Sequence, residues 1–358
     1  MDILAAARLT SEGGTGAFRL LERLVSSGRV PAAMVFTGPK GAGKELAAIR
    51  FASLALCPEG GCGGCPACEK ISTLEHPDLH LVYPVPSGGA DKSMPALLES
   101  RREDFLARGE FGSRARSIGI DRVREVVSMI SRQPFEASRS VVAFFEAHLA
   151  TVEAQNAMLK MLEEPPPSSV IVLVTERIDR LLSTIESRCR QIRFDPLPDG
   201  VVARYLVRFL SVEEKEARRL ASIAAGDLRR AVSLLDERFL SMRGDAAALL
   251  RLVLEERNRQ IPRESESVAR RYTREETAEL LEEMISILRG LMTAGVRGGG
   301  RADPAAGEVG EPAAAAAAKR DLAADIGKVA GAARNLARNV DIELTLTQLL
   351  LDLTGKWY

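Results

Sequence analysis

The sequence predicts an α/β fold with a parallel sheet around a phosphate loop, continued by a wholly helical region, and three observations predict it. Short apolar runs at Ala32 to Thr37, Leu79 to Tyr83, Val141 to Phe145, Val170 to Thr175 and Cys189 to Phe194 alternate with helical stretches, the pattern of a parallel sheet. The first run passes directly into Gly38-Pro39-Lys40-Gly41-Ala42-Gly43-Lys44, which has the spacing G-x-x-x-x-G-K between a strand and a helix. After Pro196 and Pro198 the apolar spacing is helical, as in VVARYLVRFL and AVSLLDERFL.

The elements follow in order. The phosphate-loop helix starts near Lys44 and runs through ELAAIRFASLAL. A cysteine cluster comes next, then an excursion from the sheet at about residues 84–117 that contains VPSGGADKS and an arginine-rich stretch. Its arginines, Arg101, Arg102, Arg108, Arg114 and Arg116, read as a solvated charged segment because acidic residues lie among them. The helix from Val152 to Glu164 is stopped by Pro165, Pro166 and Pro167, since proline cannot continue a helix. Three domains are expected: 1–198 for the sheet domain, 199–243 for a small helical domain, and 244–358 for a second helical domain. A flexible loop is expected at about 294–311 from its Gly, Ala and Pro content, and Pro312 suits the first turn of an Ala-rich helix.

Composition narrows the classes of function. The chain has 358 residues, 46% hydrophobic and 27% charged, which fits a globular protein of more than one domain. Its formal net charge of +0 argues against a strongly basic, free-standing nucleic-acid binder. The N-terminus lacks the cationic start and apolar core of a secretion signal, and no run of about eighteen apolar residues occurs. A cytoplasmic protein without a membrane partner is expected, and in a reducing compartment clustered cysteines bind metal more often than they form disulfides.

The phosphate loop carries the first chemistry. Its backbone N–H groups and the helix N-terminus cradle phosphates, and Lys44 reaches the terminal ones. The next residue is Glu45, where the motif calls for a Ser or Thr hydroxyl on Mg²⁺. The acidic metal partner belongs at the end of a neighbouring strand, where VVAFFEAHL has Phe145 followed by Glu146. Phenylalanine cannot ligate magnesium, so Mg²⁺ is not expected here and an intact hydrolytic site is not predicted.

Cys57, Cys62, Cys65 and Cys68 form C-x₄-C-x₂-C-x₂-C, with Gly and Pro between the ligands to allow the tight turns of tetrahedral sulfur coordination. Structural zinc is the expected occupant. A ferredoxin run would place its fourth cysteine three residues after Cys68, where Ile71 and Ser72 lie. Cys189 reads as a small buried residue, and His76, His80 and His148 are dispersed and suggest no dyad. By composition, Arg188 and Arg229 are ordinary surface charges.

Taken in order, GPKGAGKE, the four cysteines, EAHLATVEAQNAMLKMLEEPPPSS, ESRCRQIRF and GDLRRAVSLL resemble the AAA+ subunits of the bacterial DNA polymerase III clamp loader. These pieces span the first two thirds of the chain, and RNLARNVDIELTLTQLLLDL is more loosely similar to the family's helical collar. The resemblance implies an AAA+ core with a zinc module, a helical lid and a collar that assembles into a five-membered ring. Within the family, Glu45 and Phe145 point to the delta-prime type rather than the ATP-hydrolysing gamma/tau type.

The resemblance further implies that Arg188 is an arginine finger, projected into the ATP site of an adjacent subunit. Gly38, Gly41, Gly43, Lys44 and Arg229 match the family's nucleotide-binding positions, with ATP or ADP occupancy put in question by Glu45. Thr175 falls near the first sensor position, and Arg122 and Arg124 fall where relatives carry a DNA-tracking helix. The implied partners are gamma/tau and delta subunits, the sliding clamp and primed DNA. The chain is not expected to be an autonomous ATPase. An active gamma/tau-like ATPase and a zinc-stabilised DNA-binding scaffold are the alternatives.

Overall fold

The computed structural model describes residues 2–13, 16–86, 90–106, 116–297, 304–336 and 340–355. The chain divides into two compact units, Met1–Val232 and Ser233–Tyr358. No helix among the described residues is long and apolar enough to cross a membrane.

The first unit runs α1 (Ile3–Glu12), α2 (Gly16–Ser26), β1 (Ala33–Thr37), α3 (Lys44–Leu56), α4 (Pro66–Ser72), β2 (Leu79–Val82), β3 (Val85–Pro86), α5 (Ala90–Glu103), β4 (Arg116–Ser117) and α6 (Ile120–Ile130). It continues with β5 (Ser140–Phe144), α7 (Val152–Glu163), β6 (Ser169–Thr175), α8 (Ser183–Glu186), β7 (Arg190–Arg193), α9 (Asp199–Leu210), α10 (Glu214–Ala224) and the greater part of α11 (Leu228–Ser233).

Five strands form one parallel sheet in the order β2-β5-β6-β1-β7. The inner strands β1, β5 and β6 are buried along their whole length, as expected when helices cover both faces and every side chain meets a core. On one face Val35, Phe144 and Leu173 pack with Val123, Val126 and Ile130 of α6 and with Ala154 and Met158 of α7. On the other, α3 packs across β5 and β6. At the edge, β7 buries only Ile192 and exposes Arg190, Gln191 and Arg193, whose charges discourage pairing with a further strand.

Register brings the functional ends together. Thr37 lies opposite Thr175, and Phe144 lies opposite both Val82 and Leu173. The phosphate loop, the end of β5 and the end of β6 therefore emerge on the same carboxyl edge, where open parallel sheets bind ligands.

The excursion contains a small antiparallel pair, with Val85 opposite Ser117 and Pro86 opposite Arg116. Arg108 and Arg114 lie outside the described residues. Arg101 corrects the reading of a solvated charged segment: it is buried, its Nη1 donates to Phe105 O at 2.7 Å, and its guanidinium lies 5.5 Å from the Tyr83 ring centroid. A planar cation can be buried when an aromatic face and a carbonyl replace its water.

The second unit is helical: α12 (Glu237–Leu254), α13 (Ile261–Arg271), α14 (Arg274–Arg297), α15 (Pro304–Val309), α16 (Glu311–Ala317), α17 (Leu322–Leu336) and α18 (Ile342–Thr354). Helix α12 runs through the expected boundary at 243/244, because Gly244 lies on its exposed side, where glycine costs only about 1 kcal/mol. The loop expected at 294–311 is likewise corrected over its described part, since α14 reaches Arg297 and Pro304–Val309 is helical. Arg243 pairs with Glu283 and, at 2.9 Å, with Glu308. Arg251 donates to Glu308 O and Val309 O, each at 3.0 Å, so α15 is anchored despite its loop-like composition. Pro312 occupies the first turn of α16 as the sequence predicts.

Candidate functional site: an altered phosphate-loop pocket and a four-cysteine cluster

The loop after β1 is shaped by glycines with positive φ. Gly38 has φ +148°, and a Cβ there would stand 2.2 Å from Phe194 O. Gly43, at φ +79°, turns the chain into α3. Beside this loop lies an open cleft with about 610 Å³ of empty space, lined by Lys44, Glu45, Glu146, His148, Thr175 and Arg229 among others. Of the residues expected to bind nucleotide, Gly41, Gly43, Lys44 and Arg229 line it directly.

The Lys44 ammonium turns back onto its own loop, donating to Gly38 O at 2.8 Å and to Pro39 O at 2.5 Å. Burial pulls its pKa below the ordinary value, with Glu176 and Glu45 opposing the shift. Glu45 does not face an empty metal position: its carboxylate forms an ion pair with the Arg229 guanidinium. Burial works against the charge on Arg229, but the Glu45 and Glu146 carboxylates more than offset it and raise its pKa.

Phe145 is fully buried and stacks on Tyr83, so the position where an acidic metal partner is needed belongs to the core. Glu146 follows with φ +47°, lines the cleft and pairs with Arg116 at 3.5 Å. A carboxylate remains within the cleft, one residue beyond the expected position.

The structure also brings together residues that looked dispersed in sequence. His148 Nδ1 and Thr175 Oγ1 share a hydrogen bond of 3.2 Å. Since Thr175 Oγ1 already accepts from Arg177 N at 3.0 Å, its hydroxyl proton is available to His148 Nδ1. Burial lowers the His148 pKa against the pull of Glu176 and Glu146, which favours the neutral ring. Glu176 and His148 were missed as cleft residues because strand order, which local sequence does not display, sets β5 beside β6.

Arg188 lies elsewhere, just after α8, and is not among the cleft residues. Its side chain is 36% exposed, donates to Thr184 O at 3.0 Å and pairs with Glu163 at 2.7 Å. The segment before it is held by Gln155, a buried side chain within the run AQNAMLKMLEEPP. Gln155 donates to Ala150 O at 3.1 Å and Arg180 O at 3.3 Å, and accepts from Leu182 N at 2.8 Å. An amide is suited to this place because it both donates and accepts.

The four cysteines converge, with their sulfurs all within 4.8 Å of one another and none in a disulfide. Cys57 Sγ lies 3.8 Å from Cys62 Sγ and 3.5 Å from Cys65 Sγ. Tetrahedral zinc with Zn–S of about 2.3 Å implies sulfur separations of about 3.8 Å. Gly63 N points at Cys68 Sγ, 3.2 Å away, and Cys68 N at Cys65 Sγ, 3.5 Å away, contacts that favour thiolates. Arg8 and Arg50 both donate to Gly61 O, the latter at 3.2 Å, fixing the loop to α1 and α3. The cluster could hold a metal ion and fits structural zinc. Cys189 is half-buried against the sheet core.

Arg122 pairs with Glu125 at 2.6 Å and Arg124 with Asp121 at 3.6 Å, both within α6.

Comparison with known proteins fits these motifs. A family model described as "DNA polymerase III, delta subunit" matches residues 14–198. DNA polymerase III subunit delta′ of Bacillus subtilis is 32% identical over 57% of this chain and 54% of its own length. The delta′ subunit of Pseudomonas aeruginosa is 30% identical over 54% and 52% respectively. The chain thus spans about half the length of these curated relatives. Subunit tau of B. subtilis is 28% identical over 60% of this chain and 34% of its own length. With the family model covering more than half of its residues, the chain belongs to the DNA polymerase III, delta subunit family, the clamp-loader family its motifs resemble.

Proposed function

We propose that this chain is a delta-prime-like subunit of the DNA polymerase III clamp loader, a rigid AAA+ member that does not itself hydrolyse ATP. The observation that carries the reading is Glu45 at the position of the metal-binding hydroxyl, paired with Arg229. Phe145, sealed in the core where a metal-binding carboxylate belongs, supports it. Magnesium would have neither of its usual protein partners here, while the delta′ relatives give the reading its family context.

In this role Arg188 is the contribution to chemistry. Partly exposed and outside its own cleft, it would leave Glu163 and enter the ATP site of a neighbouring gamma/tau subunit. There the guanidinium would stabilise charge developing on the transferred phosphoryl group. Gln155 would act as a positioning residue, holding the chain that leads to Arg188. Cys57, Cys62, Cys65 and Cys68 would hold structural zinc, which offers no open position for catalysis. The assembly would contain gamma/tau and delta subunits in a five-membered ring, in the cytoplasm, and would place the sliding clamp on primed DNA.

A gamma/tau-like ATPase is the second reading, favoured by Glu146, whose carboxylate lines the cleft. ATP turnover by the purified chain distinguishes the two. The delta-prime reading expects no magnesium-dependent hydrolysis above background, whereas sustained turnover would establish the second reading in its place.

A further inference from the structure

The phosphate loop and the segment that opens α11 are joined by contacts that require no nucleotide. Leu228 N donates to Gly41 O at 3.1 Å. Glu45 and Arg229 form an ion pair whose side chains are only 18% and 19% exposed. Asp227 lies so close to Gly41 that a Cβ on that glycine would stand 1.8 Å from Asp227 Oδ1, and Gly41 itself has φ +67°. Asp227 Oδ1 in turn accepts from Arg230 N at 2.9 Å, which fixes the first turn of α11. On the other side, Leu197 N donates to Gly226 O at 3.1 Å. Gly226 has φ +83°, and a Cβ there would meet Leu197 O at 2.7 Å.

The cationic side chains that would meet a terminal phosphate are engaged by oxygens of the protein. Lys44 is bound by Gly38 O and Pro39 O, and Arg229 by the Glu45 carboxylate. Carboxylate and phosphate oxygens compete for the same guanidinium geometry, so an anion held covalently in the chain excludes one arriving from solution. Glu146 and Glu176 also line the cleft, so an entering polyphosphate would meet further negative charge.

We propose that Glu45 is a built-in anion: it takes the place beside Arg229 that a nucleotide phosphate would occupy, excludes polyphosphates, and keeps α11 fastened to the phosphate loop. The segment is then held in every state of the protein, not only when ATP is present. This concerns the chain's own cleft and stands whether or not the chain serves a clamp loader.

The test is equilibrium binding of a fluorescent ATP analogue with Mg²⁺ to the full chain, as wild type, Glu45→Thr and Glu45→Gln, with thermal unfolding of each. Wild type is expected to bind at least tenfold more weakly than Glu45→Thr, with Glu45→Gln between them. Without nucleotide both variants should melt below wild type, and Mg·ATP should restore Glu45→Thr. Equal affinity in all three proteins, or no gain in Glu45→Thr, would overturn the proposal. Because a variant that fails to fold would bind nothing, wild-type hydrogen exchange provides a second reading. The Leu228 amide should be protected without nucleotide and unchanged by Mg·ATP; an amide that exchanges freely until Mg·ATP is added overturns the proposal.

Discussion

Phe145 stacks on Tyr83 with ring centroids 4.5 Å apart and planes 14° from parallel, at the point where β5 passes into the phosphate-loop cleft. The backbone position needed for a metal-binding carboxylate is present, but its side chain turns into the core. Phe145→Asp should therefore not create a magnesium site. It should remove a buried ring and bury a charge, costing about 3–5 kcal/mol or more. Urea unfolding of wild type and variant checks this; unchanged stability together with new magnesium-dependent ATP turnover would contradict it.

Asp78 gives a prediction with a defined pH dependence. Its carboxylate is buried and accepts from Phe135 N at 2.6 Å, Glu136 N at 2.8 Å and Ala137 N at 2.8 Å. Burial alone would raise its pKa, but these three bonds outweigh burial and hold it below the ordinary 3.8. A depressed folded pKa means stabilisation that is complete above the unfolded value and fades as pH falls through the folded one. Asp78→Ala should cost about 2–4 kcal/mol at pH 7, because three part-buried N–H groups lose a charged acceptor. The gap from wild type in urea unfolding should narrow below about pH 4.

The cysteine cluster should hold one zinc per chain, measured by metal analysis of the purified protein. Cys65→Ser should lose it and lower the melting temperature, because a metal bound only by the folded state stabilises that state. A chelator should move wild type toward the variant and leave the variant unchanged. A protein that carries no metal and melts identically with chelator would refute structural zinc.

Gln155→Leu should destabilise the fold by about 1–3 kcal/mol, since the carbonyls of Ala150 and Arg180 and the N–H of Leu182 would lose a buried partner. In a reconstituted loader it should lower ATP turnover less than Arg188→Ala does, as expected of a residue that acts through the segment bearing Arg188.

The legible parts of the molecule were those encoded locally. The inner strands are continuous apolar runs, the phosphate loop has glycines at fixed spacing, and the cysteines lie within twelve positions of one another. What escaped depends on contacts distant in sequence. His148 and Thr175 meet only because β5 and β6 are neighbours, and Glu45 finds Arg229 only when α11 folds over the loop. Arg101 carried no mark of burial in an arginine-rich stretch, since Tyr83 and Phe105 supply its shelter. Composition also misled at Pro304–Val309, where the charged anchors Arg243 and Arg251 come from another helix.

In the proposed role this chain would lend chemistry to a neighbour and perform none in its own cleft. DNA-stimulated ATP turnover of a loader reconstituted with Arg188→Ala or Lys44→Ala tests it most directly. A strong loss with Arg188→Ala, of the order of tenfold or more for an arginine finger, and little change with Lys44→Ala is the expected result. Turnover that survives Arg188→Ala and collapses with Lys44→Ala would contradict it.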